Sequence, residues 1–152
     1  MQRQYNVLEI SGVSMATRLP KNYLPTEDEP FMNNKMREYF RRKLKVWRDE
    51  LVRESSQTIQ HLQEDSRQEP DIGDRASAES ERALELRTRD RERKLLSKIE
   101  SALKRIDDST YGYCDELGEP ISIQRLEARP IATMSLEAQE RHERRERVYR
   151  DD

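Results

Sequence analysis

The chain has 152 residues, 39% of them charged and 33% hydrophobic, with a mean hydropathy of -1.15 and a formal net charge of -2. So polar a chain has too little apolar surface to order one broad globule, and its near-balanced charge gives no bulk reason to expect nucleic acid. A single cysteine excludes an internal disulfide framework and a multi-cysteine zinc site; with no apolar run of membrane length and no secretory pattern at the N-terminus, a cytoplasmic protein without a membrane partner is expected.

Residues 1–32 mix apolar residues (Val7, Leu8, Ile10, Val13) with Pro20, Pro25 and Pro30. Three prolines so close oppose a helix, so an extended segment packing on or near the small globular module is expected, with disorder an equal alternative for the first dozen residues. A hairpin of two helices is expected over 33–108. Asn33 or Asn34 caps the first helix, whose stripe of Met36, Phe40, Leu44, Trp47 and Leu51 recurs at steps of four and three. Ile59 and Leu62 resume that stripe before Pro70 ends the helix. "EPDIGDRAS" is the breaker, with turn residues Pro70, Asp71, Gly73 and Asp74 placing the tip near 70–76. The second helix is predicted from about Arg75 to Ile106, with Ala76, Ala83, Leu86, Leu95, Leu96, Ile99, Leu103 and Ile106 as its apolar members. Helices of similar length around a short turn read as an antiparallel pair, about 50 Å long at 1.5 Å per residue.

Charge is segregated along this rod. Between Gln63 and Glu81 acids outnumber bases seven to two, whereas between Arg82 and Arg105 bases outnumber acids nine to four. The tip is therefore acidic and the shank basic. A small module follows over 109–134: "YGYC" and "PISI" are expected to pair as a short hairpin across "DELGE", and "IQRLEAR" to form a turn or two of helix ended by Pro130. Ser135 is the expected cap of a final helix within 135–152. The fold class is thus mainly α: a long antiparallel coiled-coil hairpin on a small module with a C-terminal helix.

Few residues here suggest catalysis. There is no phosphate loop, and His61 and His142 stand alone in helical sequence. Cys114 has neither a visible base nor a visible reason for a lowered pKa, so it reads as a small buried residue. Asp71 and Asp74 are accounted for first by turn and cap chemistry, and beside that by a rod that carries carboxylates to a distant metal site or basic partner. "RTRDRERK" interleaves acids with its bases and lacks stacking aromatics, which argues against direct nucleic-acid binding. A small polyanion between shank and module is left open.

Taken together, "DIGDRAS", "LELRTRDRERKLL", "YGYC" and "RLEARP" resemble the DksA family of bacterial RNA-polymerase-binding transcription factors, from about Pro25 to the C-terminal helix. The resemblance implies a monomeric, non-catalytic factor. It would bind the polymerase rim, insert its hairpin into the secondary channel and modulate initiation with the alarmone ppGpp, without recognising specific DNA sequences. Asp71, Asp74 and Ala76 would be the tip residues near the polymerase active centre. The implied ppGpp-binding positions are Leu95, Lys98, Arg129 and Gln139; a family lysine is replaced at Gln139, with Arg141 as the neighbouring base. The family's four zinc positions would be Cys114, Leu117, Ser135 and Ala138, which makes the module a degenerate zinc-ribbon-like one. No stably bound cofactor is therefore expected, with Leu117 and Ala138 packing alongside Cys114 instead. Two other readings stand beside this one: a Gre-like transcript-cleavage factor, disfavoured by the charged terminal helix, and a structural coiled-coil scaffold, disfavoured by polar interruptions such as Ser55 and Asp90.

Overall fold

In the computed structural model, residues 18–65 and 75–150 are described. The helical hairpin begins at Asn33, whose side-chain Oδ1 accepts hydrogen bonds from the backbone N–H of Lys35 and Met36, both 2.9 Å. Of the two candidate caps it is therefore Asn33 that satisfies the free amides of the first turn. Helix α1 runs Asn34–Asp65 and α2 runs Arg75–Asp107. The segment before α1 is fastened by Glu29, whose carboxylate accepts from the Tyr23 hydroxyl (3.1 Å) and the Asn33 side-chain amide (2.9 Å). Those bonds hold the carboxyl of Glu29 below its ordinary pKa, the Asn33 bond foremost.

The lower part of the predicted stripe of α1 is buried: Met36, Phe40, Leu44 and Leu51 share a core with Ile99, Ala102 and Ile106 of α2, and Trp47 is half-buried beside it, while the side chains of Ile59 and Leu62 lie outside the described residues. The same core continues into the small module through Tyr111, Cys114, Ile121, Leu126, Ala132 and Ala138. The foot of the hairpin and the module thus share one apolar interior. Tyr111 is its largest fully buried side chain; its hydroxyl donates to the Pro130 carbonyl at 2.7 Å, and its ring lies 5.5 Å from that of Phe40. Burial pushes the phenol well above its usual pKa, which keeps it a neutral donor.

Two expectations are corrected. "YGYC" and "PISI" do not form a hairpin of strands: among the described residues they meet at a single antiparallel bridge, Tyr113 with Pro120. Proline has no amide to extend a ladder. Gly112 (φ +90°) and Gly118 (φ +68°) turn the chain too sharply for extended strands. At Gly112 a Cβ would lie 2.8 Å from the Met32 side chain, so glycine also allows the N-terminal segment to close on the module. The loop is instead tied by Cys114 N–H to the Glu119 carbonyl (2.8 Å) and Ile121 N–H to the Gly112 carbonyl (2.7 Å).

The second correction concerns the upper shank. Leu86 is 65% exposed and Ala83 is exposed as well. The less exposed face of α2 continues instead through Glu92, Arg89, Glu85 and Ala78. Glu92, Glu85 and Ala78 fall at seven-residue steps back from Ile106 and Ile99, the repeat of a coiled-coil seam. The seven-residue step of α2 thus continues while the residues on that face turn polar.

Helix α3 (Ile123–Ala128) is capped by the Ser122 hydroxyl, which accepts from the Arg125 N–H at 3.3 Å. It is anchored to α1 through Glu127: Tyr39 donates its hydroxyl to the carboxylate at 2.9 Å, and the Lys43 ammonium pairs with the same oxygen. Ser135 caps α4 (Leu136–Arg150) as expected, accepting from the Ala138 N–H at 3.3 Å. No helix among the described residues is long and apolar enough to cross a membrane.

Candidate anion-binding site at the foot of the hairpin

Two turns of α2, the end of α3 and the start of α4 enclose a cavity of about 510 Å³. Helix α2 contributes Ser97, Lys98, Ser101 and Arg105, which fall on one face because they recur at steps of three and four. Arg125 and Arg129 come from α3 and its C-cap, Thr133 and Met134 from the following loop, and Gln139 from α4. Three residues far apart in sequence, Lys98, Arg129 and Gln139, are therefore brought round one space. Leu95 is not: it is half-buried and packs against the core. Arg141 is exposed and does not line the cavity.

The electrostatics favour an anion. Lys98, Arg105, Arg125 and Arg129 line the cavity with Asp115 as the one carboxylate, and none of the four cations forms an ion pair among the described residues. Elsewhere on the hairpin, ion pairs are frequent: Arg41 with Asp107, Arg89 with Glu85, Arg93 and Lys94 with Asp90. Arg125 is oriented by its own bond, Nε donating to the Met134 carbonyl at 2.8 Å. That leaves the far side of a planar guanidinium free for a second acceptor. Hydroxyls of Ser97, Ser101 and Thr133 add neutral donors.

The comparisons with known proteins decide the family. The family model described as "DnaK suppressor protein DksA, N-terminal domain" matches residues 36–106, and "Prokaryotic dksA/traR C4-type zinc finger" matches 109–144. The chain is 63% identical over 131 residues to the RNA polymerase-binding transcription factor DksA of Caulobacter vibrioides, covering 86% of this chain and 92% of that protein. The chain belongs to the DksA family. It is also 42% identical over 142 residues to DksA of Escherichia coli, covering 93% of this chain and 89% of that one. The structure of transcription factor DksA2 from Pseudomonas aeruginosa matches with a TM-score of 0.73 at 41% identity, over 77% of this chain and 90% of that one.

A DksA-type zinc finger of the C4 class implies a metal held by four thiolates. The residues here do not fit one. The matched stretch 109–144 holds a single cysteine, Cys114, so four thiolates cannot be assembled from it. A tetrahedral structural zinc site takes its ligands from sulfur, imidazole and carboxylate groups. No group of three or more such side chains clusters anywhere among the described residues. The fold of this stretch is kept by other means. Cys114 is 2% exposed and Ala138 fully buried in the common core, with Leu117 packed against it. The Cys114 N–H and carbonyl close the turn with Glu119 and Gly118, and Asp115 N–H bonds the Thr133 carbonyl at 2.9 Å to join the two arms.

Cys114 differs from the sequence reading in one respect. It is buried, as expected, but there is a cause for a lowered pKa. Burial pushes the thiol up, and backbone N–H groups of Ser135, Leu117 and Glu116, with the Ser135 hydroxyl, pull it down below its ordinary value. This cannot be seen in the sequence, because the donors come from two arms that only the fold brings together.

Of the tip residues, Asp71 and Asp74 lie outside the described residues, and Ala76 stands in the first turn of α2. Sequence reading missed Arg105, Arg125 and the three hydroxyl residues of the cavity. Arg105 was accessible, because it lies seven residues after Lys98 on the same helical face. Arg125 was not, since nothing local signals its bond to Met134.

Proposed function

We propose that this DksA family member is a regulator of transcription that binds RNA polymerase, places its hairpin tip in the secondary channel and responds to ppGpp at the cavity between α2 and the module. The observation that carries the reading is the convergence of Lys98 and Arg129, without carboxylate partners, on one basic cavity in a chain whose relatives are named RNA polymerase-binding transcription factors. Phosphates suit such a site, since guanidinium and ammonium groups give charge-assisted bonds to their oxygens. Gln139, whose side-chain amide donates to Glu143 at 2.9 Å, stands in place of a cation. Asp71, Asp74 and Ala76 act at the far end, and the protein performs no catalysis of its own. It works as a monomer in the cytoplasm, makes no sequence-specific contacts with DNA and requires no zinc.

The test is in vitro initiation from a ppGpp-sensitive promoter with purified polymerase. The wild-type chain lowers open-complex lifetime, more strongly with ppGpp. Asp74→Asn keeps polymerase affinity and loses the regulatory effect; full activity of that variant would exclude the tip assignment. Purified protein carries less than stoichiometric zinc by elemental analysis and keeps its helicity in a strong chelator.

A further inference from the structure

Arg105 is the cavity residue that the reading above leaves without a part. It is set two helical turns from Lys98, a rise of about 10 Å along the same face, and lines the same cavity. Its Nη1 is buried and finds no hydrogen-bond partner, and the side chain forms no ion pair among the described residues. Burying a charged donor without an acceptor is costly, and such groups are rare in native structures, where water or an ion is one of the things that satisfies them. Arg125, across the cavity, is held by the Met134 carbonyl. The cations thus stand at separated places: Lys98 and Arg129 in exposed positions, Arg105 and Arg125 more enclosed.

We propose that Arg105 is a further anion-binding residue of this cavity, and that with Arg125 it takes the second of two separated phosphate groups on the ligand. The proposal rests on the reading of the cavity as the ppGpp site and names the residue that offsets the missing cation at Gln139. Arg141, the base suggested by sequence proximity, is on α4 away from the cavity lining.

Among the described residues the Arg105 side chain makes no ion pair, although its charge acts on the buried Tyr111, so folding is followed beside binding. The variants are Arg105→Gln and Arg105→Lys, assayed for ppGpp response with polymerase and for thermal unfolding. In Arg105→Gln the half-effective ppGpp concentration rises about tenfold, the size expected for one charge-assisted bond. Its melting temperature does not fall. Arg105→Lys recovers most of the response. A wild-type ppGpp response in Arg105→Gln overturns the proposal, as does a loss that follows a lowered melting temperature. Titration of the free chain with inorganic pyrophosphate keeps the two readings apart. If ppGpp has no effect through the wild-type chain but pyrophosphate binds it and binds Arg105→Gln about tenfold more weakly, the ligand assignment fails and Arg105 stands. Equal pyrophosphate binding by the two, or none by the wild type, removes Arg105.

Discussion

The foot and the upper shank of the hairpin are built from the same two helices and held by different forces. At the foot, Phe40, Leu44, Ile99 and Ile106 are fully buried and the module adds Tyr111, Ile121 and Leu126 to the same interior. Higher up, Ser55 meets the level of Arg89 and Glu92 around a gap of about 240 Å³ lined also by Leu51, Val52 and Leu96. Arg89 pairs with Glu85 at 2.6 Å, yet its Nε is buried without a partner. An i,i+4 pair of this kind stabilises by a few tenths of a kcal/mol, against roughly 1.5–3 kcal/mol for each large apolar side chain buried at the foot. The lesson is that the seven-residue step of a helix can continue after its apolar stabilisation has ended. Local opening should then begin in the upper shank while the foot and module stay closed.

The strongest way to break the comparison is at the foot. Phe40→Ala should cost about 4 kcal/mol, read from urea unfolding, with helical signal and the buried Tyr111 environment lost in one transition. Separate transitions would mean that hairpin and module do not share a core. A smaller effect of opposite sign is expected above. Ser55→Leu places an apolar side chain against the gap and should stabilise by about 1 kcal/mol. Amide exchange of residues 85–93 should slow, with that of 99–106 unchanged. The smallest effect belongs to Leu86→Ala, which should alter stability by less than about 0.5 kcal/mol because the side chain is exposed. A loss near 3 kcal/mol would return Leu86 to the seam.

Particular positions also show what could be read from the sequence. The lower α1 stripe was legible because Met36, Phe40, Leu44 and Leu51 coincide with its buried face. Ser135 was legible because a cap is a local device. Leu86 misled because apolarity was followed instead of register: counting back by seven from Ile106 gives Ile99, Glu92 and Glu85, and two of those are charged. The single bridge at Tyr113 was hidden for another reason, since alternating apolar residues suggest strands wherever the turns allow them, and Gly112 decides otherwise. At the cavity, Lys98 and Arg129 were reached through family resemblance, while Arg105 and Arg125 needed the packing of α2 on the module. Nothing in "RLEARP" alone says which arginine bonds a carbonyl and which is left free.

One helix carries both the cavity wall and the far end of the rod. Arg75 and Arg105 stand at opposite ends of α2, about 45 Å apart at the helical rise. The length of α2 magnifies any change of angle made at the cavity. A tilt of about 5° at Arg105 would displace Arg75 by about 4 Å over that length. A few degrees at the cavity would therefore move the start of α2 by more than the length of a hydrogen bond wherever the upper shank stays closed.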